Sequence, residues 1–122
     1  MQPGIKSLRP FIGAKNMEQS LQFYTALGWE PRLVAPNMHY VYMHDHFGFY
    51  LQDYYQEDWV NNTQIFLEIN DVETYHDHLQ SLNLSAQFET VQLKPIQHLA
   101  WGKEFFLTDP STVLWHFGSF EA

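Results

Sequence analysis

Apolar residues recur at helical spacing in two stretches of the chain. From Asn16 to Gly28, Met17, Leu21, Tyr24 and Leu27 form a stripe, with Asn16 and Gln19 as a capping pair and Gly28 as a stop. The same design returns further on, where Asn70 and Glu73 form a capping pair, Val72, Tyr75, Leu79 and Leu82 form the stripe, and Asn83, tolerant of positive φ, stands at the stop. Met17 to Val72, Leu27 to Leu82 and Gly28 to Asn83 are each separated by 55 positions. A shared offset in stripe and stop, with the same kind of cap, predicts a duplicated unit of roughly 60 residues.

Alternating segments surround the helices. Leu8, Pro10, Ile12 and Ala14 oppose Arg9, Phe11 and Gly13, and in the second copy Ile65, Leu67 and Ile69 oppose Gln64, Phe66 and Glu68. The aliphatic faces are expected to pack under the helices, leaving Arg9, Gln64 and Glu68 to face a cleft or an interface. After each helix the sequence turns rich in strand formers: Trp29 to Val34, Met38 to Met43 and Phe47 to Gln52, then Gln87 to Leu93, Trp101 to Leu107 and Val113 to Phe117. Asp53 to Asn62 is a polar connection. The expected architecture is α+β: one domain, residues 1–122, of two tandem βαβββ modules (5–53 and 62–119, linker 54–61) forming a curved mixed sheet around a cleft.

Composition narrows the function. The 122 residues carry a formal charge of −8, and protonating all 7 histidines would still leave the sum negative. Nucleic acid and anionic membranes are therefore poor partners, and a charged partner is expected to be cationic. The absence of cysteine removes thiol nucleophiles, disulfides and cysteine-ligated metals. No serine lies in a glycine-flanked elbow, and no phosphate-binding glycine loop occurs. No apolar run approaches a membrane span and the opening residues lack a secretory signal's apolar stretch, so a soluble, cytoplasmic protein is expected. Aromatic residues make up 17% of the chain, more than a core of this size needs. Tyr40, Tyr42 and Tyr50 alternate with Val41, Met43, Phe49 and Leu51, which would place the tyrosines on the cleft face.

Two strand–helix–three-strand copies in a chain of this length resemble the vicinal-oxygen-chelate superfamily of glyoxalases, extradiol dioxygenases and bleomycin-resistance proteins. The resemblance is most specific to bleomycin-resistance proteins. It lies in Trp101-Gly102-Lys103-Glu104-Phe105 with Asp109-Pro110 and Trp115-His116-Phe117, in Pro10-Phe11-Ile12-Gly13, Phe23-Tyr24 and Leu27-Gly28-Trp29, and in Asn62-Thr63. It implies a homodimer with two equivalent interface clefts, with Pro10 at the point where the first strand can cross to the partner. Carried over by position, the superfamily's metal-ligand sites fall on Arg9, Tyr50, Gln64 and His116. Arginine cannot ligate and Tyr50 would have to lose a proton, so Gln64 and His116 alone suit a metal. The resemblance also implies that Trp101 stacks on ligand, where a lone tryptophan would otherwise read as core.

These considerations favour a binding protein without metal or other cofactor, sequestering a flat, aromatic, cationic molecule such as bleomycin. The expected ligand-binding residues are Arg9, Phe11, Tyr40, Tyr42, Tyr50, Gln64, Phe66, Glu68, Trp101, Glu104 and His116. The alternative is a metal-dependent glyoxalase- or dioxygenase-like enzyme with Gln64 and His116 as ligands and Glu68 or Glu104 as base; a third reading makes the cleft a protein-docking surface. Against a catalytic role, Glu68 is expected to pair with Arg9. Asp109 to Thr112 reads as a turn, with Thr112 where such proteins usually carry glycine. His44-Asp45-His46 reads as a polar hairpin tip, and His76 and His78 as a solvated helix face.

Overall fold

A computed structural model describes residues 3–121; Met1, Gln2 and Ala122 of the expected domain lie outside the described residues. The first half runs β1 (Phe11–Ala14), α1 (Met17–Ala26), β2 (Glu30–Ala35), β3 (Met38–His44) and β4 (Phe47–Asp53). A short α2 (Glu57–Val60) leads to the second half: β5 (Gln64–Glu68), α3 (Val72–Ser81), α4 (Leu84–Gln87), β6 (Gln97–Leu99), β7 (Gly102–Thr108) and β8 (Leu114–Phe120). Each half makes one four-stranded sheet, ordered β1-β4-β3-β2 and β5-β8-β7-β6. In both, the first strand is parallel to the last and the other pairs are antiparallel. The duplication extends to register, since Phe11 lies opposite Tyr50 and Phe66, 55 positions later, lies opposite His116.

Helix α1 starts as expected: the Asn16 side chain accepts from the Gln19 N–H at 3.0 Å, and Gly28 leaves the helix at φ 95°. In the second half the cap is Asp71 rather than Asn70. Its carboxylate accepts from the Thr74 N–H at 3.0 Å, and because the helix begins at Val72, Asn70 lies one residue outside the capping position. Asn83 stops α3 with φ 53°.

The first strand is shorter than its alternation suggests. Pro10 has no N–H to continue the ladder, so Leu8 lies outside the strand and is 88% exposed. Residues 87–93 do not form a strand. The turn at Asn83 sends Leu84 to Gln87 into α4, Phe88 and Val91 enter the core from irregular backbone, and Leu93 makes one isolated bridge to Leu107; Gln97–Leu99 takes the edge position instead. The polar connection also contributes to the core, because α2 buries Val60 completely.

The helix-facing sides of both sheets share one core. Tyr24 of α1, Trp29, Phe49 of β4 and Trp115 of β8 pack as a cluster across the halves, with Trp29 and Trp115 ring centroids 5.1 Å apart. At its centre the Tyr24 hydroxyl donates to the Asp109 carboxylate at 2.6 Å and accepts from Trp115 Nε1 at 3.0 Å. Asp109 also accepts from the Ser111 and Val113 N–H groups, which closes the Asp109–Thr112 turn. Thr112 takes φ 71° there, a conformation that suits glycine.

Candidate functional site

Because each strand buries alternate residues against the core, the remaining residues share the opposite face of each sheet, of which α2 covers only the Gly13 end on the first sheet, with Trp59 and Val60 against that glycine. On the first face Arg9, just before β1, donates from Nη1 to the Tyr50 hydroxyl at 2.8 Å, and its guanidinium lies 4.4 Å from the centre of the Tyr40 ring. Tyr40 and Tyr50 are register partners with rings 5.5 Å apart, and Phe11 packs on Tyr50 at 5.0 Å. Gly48 admits this packing, since a Cβ there would overlap the Tyr40 hydroxyl. Tyr42 is drawn to the sheet's other edge: Arg32 lies 4.6 Å over its ring, and its hydroxyl accepts from the Asp45 N–H.

On the second face the polar residues form a chain. His116 Nδ1 lies 3.0 Å from Glu104 Oε1, and Nε2 lies 2.9 Å from Gln64 Oε1. A carboxylate only accepts, so Nδ1 holds a proton; Nε2 meets an amide that can present its oxygen or, turned over, its NH2 group. Beside this chain stand three exposed rings. Phe66, Trp101 and Phe120 form a triangle with centroid separations of 6.0, 5.1 and 5.7 Å, and their exposures are 44%, 36% and 59%. Glu68, exposed at the end of β5, is opposite Gly118, over whose bare backbone Phe66 lies.

The structure thus groups Arg9, Phe11, Tyr40 and Tyr50 on one sheet, with Tyr42 turned toward its edge, and Gln64, Phe66, Trp101, Glu104 and His116 on the other. The expected Arg9–Glu68 pair does not form among the described residues, because Arg9 is held by tyrosines of its own half, and Glu104 pairs with His116. Two further residues face the second site. Phe106 packs edge-on against His116 at 4.8 Å, and Phe120 completes the triangle. The alternation of Glu104 and Phe106 against Phe105 and Leu107 carries the signal for the first, and continuing β8 past Phe117 carries it for the second. His76 is half-buried rather than fully solvated: it hydrogen-bonds the Lys94 carbonyl and stands edge-on to Phe105. The His44–His46 segment is a hairpin tip, with Asp45 at φ 48°.

The four positions matching the superfamily's metal ligands do not make a metal-binding donor set. Arg9 and Tyr50 are bonded to each other and Gln64 and His116 to each other, and among the described residues no three His, Asp or Glu side chains converge. A crevice of about 400 Å³ lies elsewhere, between α3, α4 and residues 91–95, and none of the expected site residues lines it.

Comparison of the sequence with known families and with characterised proteins finds no match. Comparison of the structure does. A bleomycin-binding protein from the bleomycin producer Streptomyces verticillus, complexed with copper(II)-bleomycin, superposes with a TM-score of 0.80 at 18% identity over 98% of this chain and 100% of that one. The fold is the bleomycin-resistance fold. A bleomycin resistance determinant from transposon Tn5 (TM-score 0.76, 12% identity, 97% and 100% covered) shares it. So does an antibiotic-binding protein from a Streptomyces species (0.75, 15%, 98% and 100%). A glyoxalase/bleomycin-resistance/dioxygenase domain from Frankia has the fold as well (0.73, 13%, 99% and 100%). Among the described residues no helix is long and apolar enough to cross a membrane.

Proposed function

We propose that this protein sequesters a flat, aromatic small molecule by stacking it on the open face of the second sheet, without making or breaking a bond. The observation that carries the reading is the Phe66–Trp101–Phe120 triangle. Three contiguous rings left half-exposed on a rigid sheet are costly to keep in water unless something covers them. Glu68, Glu104 and the −8 net charge favour a cationic group on the ligand, and stacking and cation–π contacts contribute about 0.5–2 kcal/mol each. That fold neighbours hold bleomycin or another antibiotic supports the same class of ligand. A second copy of the chain, bringing the first face of one subunit opposite the second face of the other, would complete two equivalent clefts, and we include that homodimer in the proposal.

Titration of tryptophan fluorescence with bleomycin and a panel of aromatic cations tests the reading. Trp101→Ala is expected to weaken binding by about 1–3 kcal/mol with the circular dichroism spectrum unchanged. Unchanged affinity would remove Trp101 from the site, and no response to any compound would sink sequestration of this class. Sedimentation equilibrium should give twice the chain mass. About one divalent metal per chain after purification without chelator, with activity lost on its removal, would favour the enzymatic alternative.

A further inference from the structure

Arg9 is placed differently from the ion-paired cations of this chain. Arg32 bonds Glu30 and Lys103 bonds Glu73, whereas the partners of Arg9 among the described residues are neutral. The Tyr40 ring and the Tyr50 hydroxyl hold the guanidinium in place without cancelling its charge. A guanidinium carries five N–H donors in one plane, and the Tyr50 hydroxyl engages Nη1 alone. That hydroxyl accepts from Arg9, so its own O–H remains to be donated, and no acceptor among the described residues takes it. A fork of donors beside a second donor complements a planar group of acceptor oxygens, and because the Tyr40 ring and the Tyr50 hydroxyl already restrain the guanidinium, less freedom is lost on binding.

We propose that Arg9 and the Tyr50 hydroxyl form an oxyanion-binding subsite, so that the captured molecule carries a carboxylate, phosphate or sulfonate beside its aromatic rings. The inference rests on the small-molecule-binding reading above and narrows it, because a ligand bearing only cationic groups would leave these donors without an acceptor.

The test uses two probes of equal ring size on the full-length protein, 2-naphthoate and 2-naphthylmethylammonium, measured by titration calorimetry at low ionic strength. Naphthoate should bind the wild-type protein, Arg9→Gln should weaken it about tenfold or more, and Tyr50→Phe should weaken it less. Arg9→Lys should fall between, since an ammonium keeps the charge and loses the fork. The ammonium probe should bind Arg9→Gln as well as it binds wild type, or better. Equal naphthoate affinity in wild type and Arg9→Gln overturns the subsite, and so does an absence of naphthoate binding. Dissociation of Arg9→Gln into monomers at unchanged naphthoate affinity also overturns it and assigns Arg9 to the contact between copies. If the ammonium probe still binds in a Trp101-dependent way, only the subsite fails; if neither probe binds, the sequestration reading fails with it.

Discussion

On the first sheet the uncovered face ends in hydrogen-bond donors, the Arg9 guanidinium and the Tyr50 hydroxyl, laid over tyrosine rings. On the second, the equivalent strands end in the carboxylates of Glu68 and Glu104 and in a Gln64–His116–Glu104 chain, beside three open rings. Arg9 and Gln64 stand 55 positions apart, as do Phe11 and Phe66, so the two faces are built on one backbone plan. The two halves share their strand geometry and differ in the chemistry of their outward side chains. A pair of unlike faces can grip a ligand at two chemically distinct ends, which a symmetric pair could not.

If the halves differ outside and are fused inside, a core change should act on both at once. Trp115→Ala removes a ring that touches Tyr24, Trp29, Phe49 and Phe117, and it should cost about 3–5 kcal/mol in one cooperative urea transition. Two separate transitions would break the picture of a common core.

The next effect is a pH dependence at the joint. Burial pushes the Asp109 carboxyl up to about 6, against the opposing pull of its hydrogen bonds from Tyr24, Val113 and Ser111. The same burial, with Asp109 beside it, holds the Tyr24 hydroxyl well above its usual range. The folded-state value for Asp109 lies above the unfolded one of 3.8, so the native protein keeps a proton that the unfolded chain has released. The stability from this group is fully present below about pH 4 and is lost as pH rises through about 6. Measured against Asp109→Asn, which cannot titrate, the wild type should gain about 2 kcal/mol between pH 7 and pH 4. A constant difference between the two proteins would show that Asp109 stays ionised throughout.

The smallest expected effect separates the outer faces. A Cβ at Gly48 meets the Tyr40 hydroxyl and ring, which Arg9 covers, while one at Gly118 meets the outer edge of the Phe66 ring at 2.9 Å. Gly48→Ala should therefore cost about 1–3 kcal/mol, and Gly118→Ala less, because the exposed Phe66 ring can shift. Equal costs by thermal denaturation would mean that the second face is packed as tightly as the first.

Much of this was legible in the order of residues. The Asn16 cap, the stops at Gly28 and Asn83, and the alternation of Ile12 against Phe11 or Tyr50 against Leu51 are local, and local geometry follows from local sequence. Residues 87–93 were misread because Phe88, Val91 and Leu93 are apolar and strand-forming in composition. Their burial comes from a left-handed turn at Asn83 and a loop folded onto the core, neither of which periodicity records. Leu8 failed for the opposite reason, since it continues the alternation while Pro10 has already ended the ladder.

By itself the sequence determined which residues turn outward from each sheet, because a period of two leaves no other choice once the apolar face is buried. It also determined the doubling of the unit, through one offset repeated in stripes and stops. Only the tertiary structure decided the partnerships: Arg9 with Tyr40 and Tyr50 rather than Glu68, His116 with both Gln64 and Glu104, and Tyr24 with Asp109 across the joint. These contacts span up to 85 positions of chain, and they depend on strand order and on which ring has room to lie where. Strand order and packing space exist only once the sheets have formed.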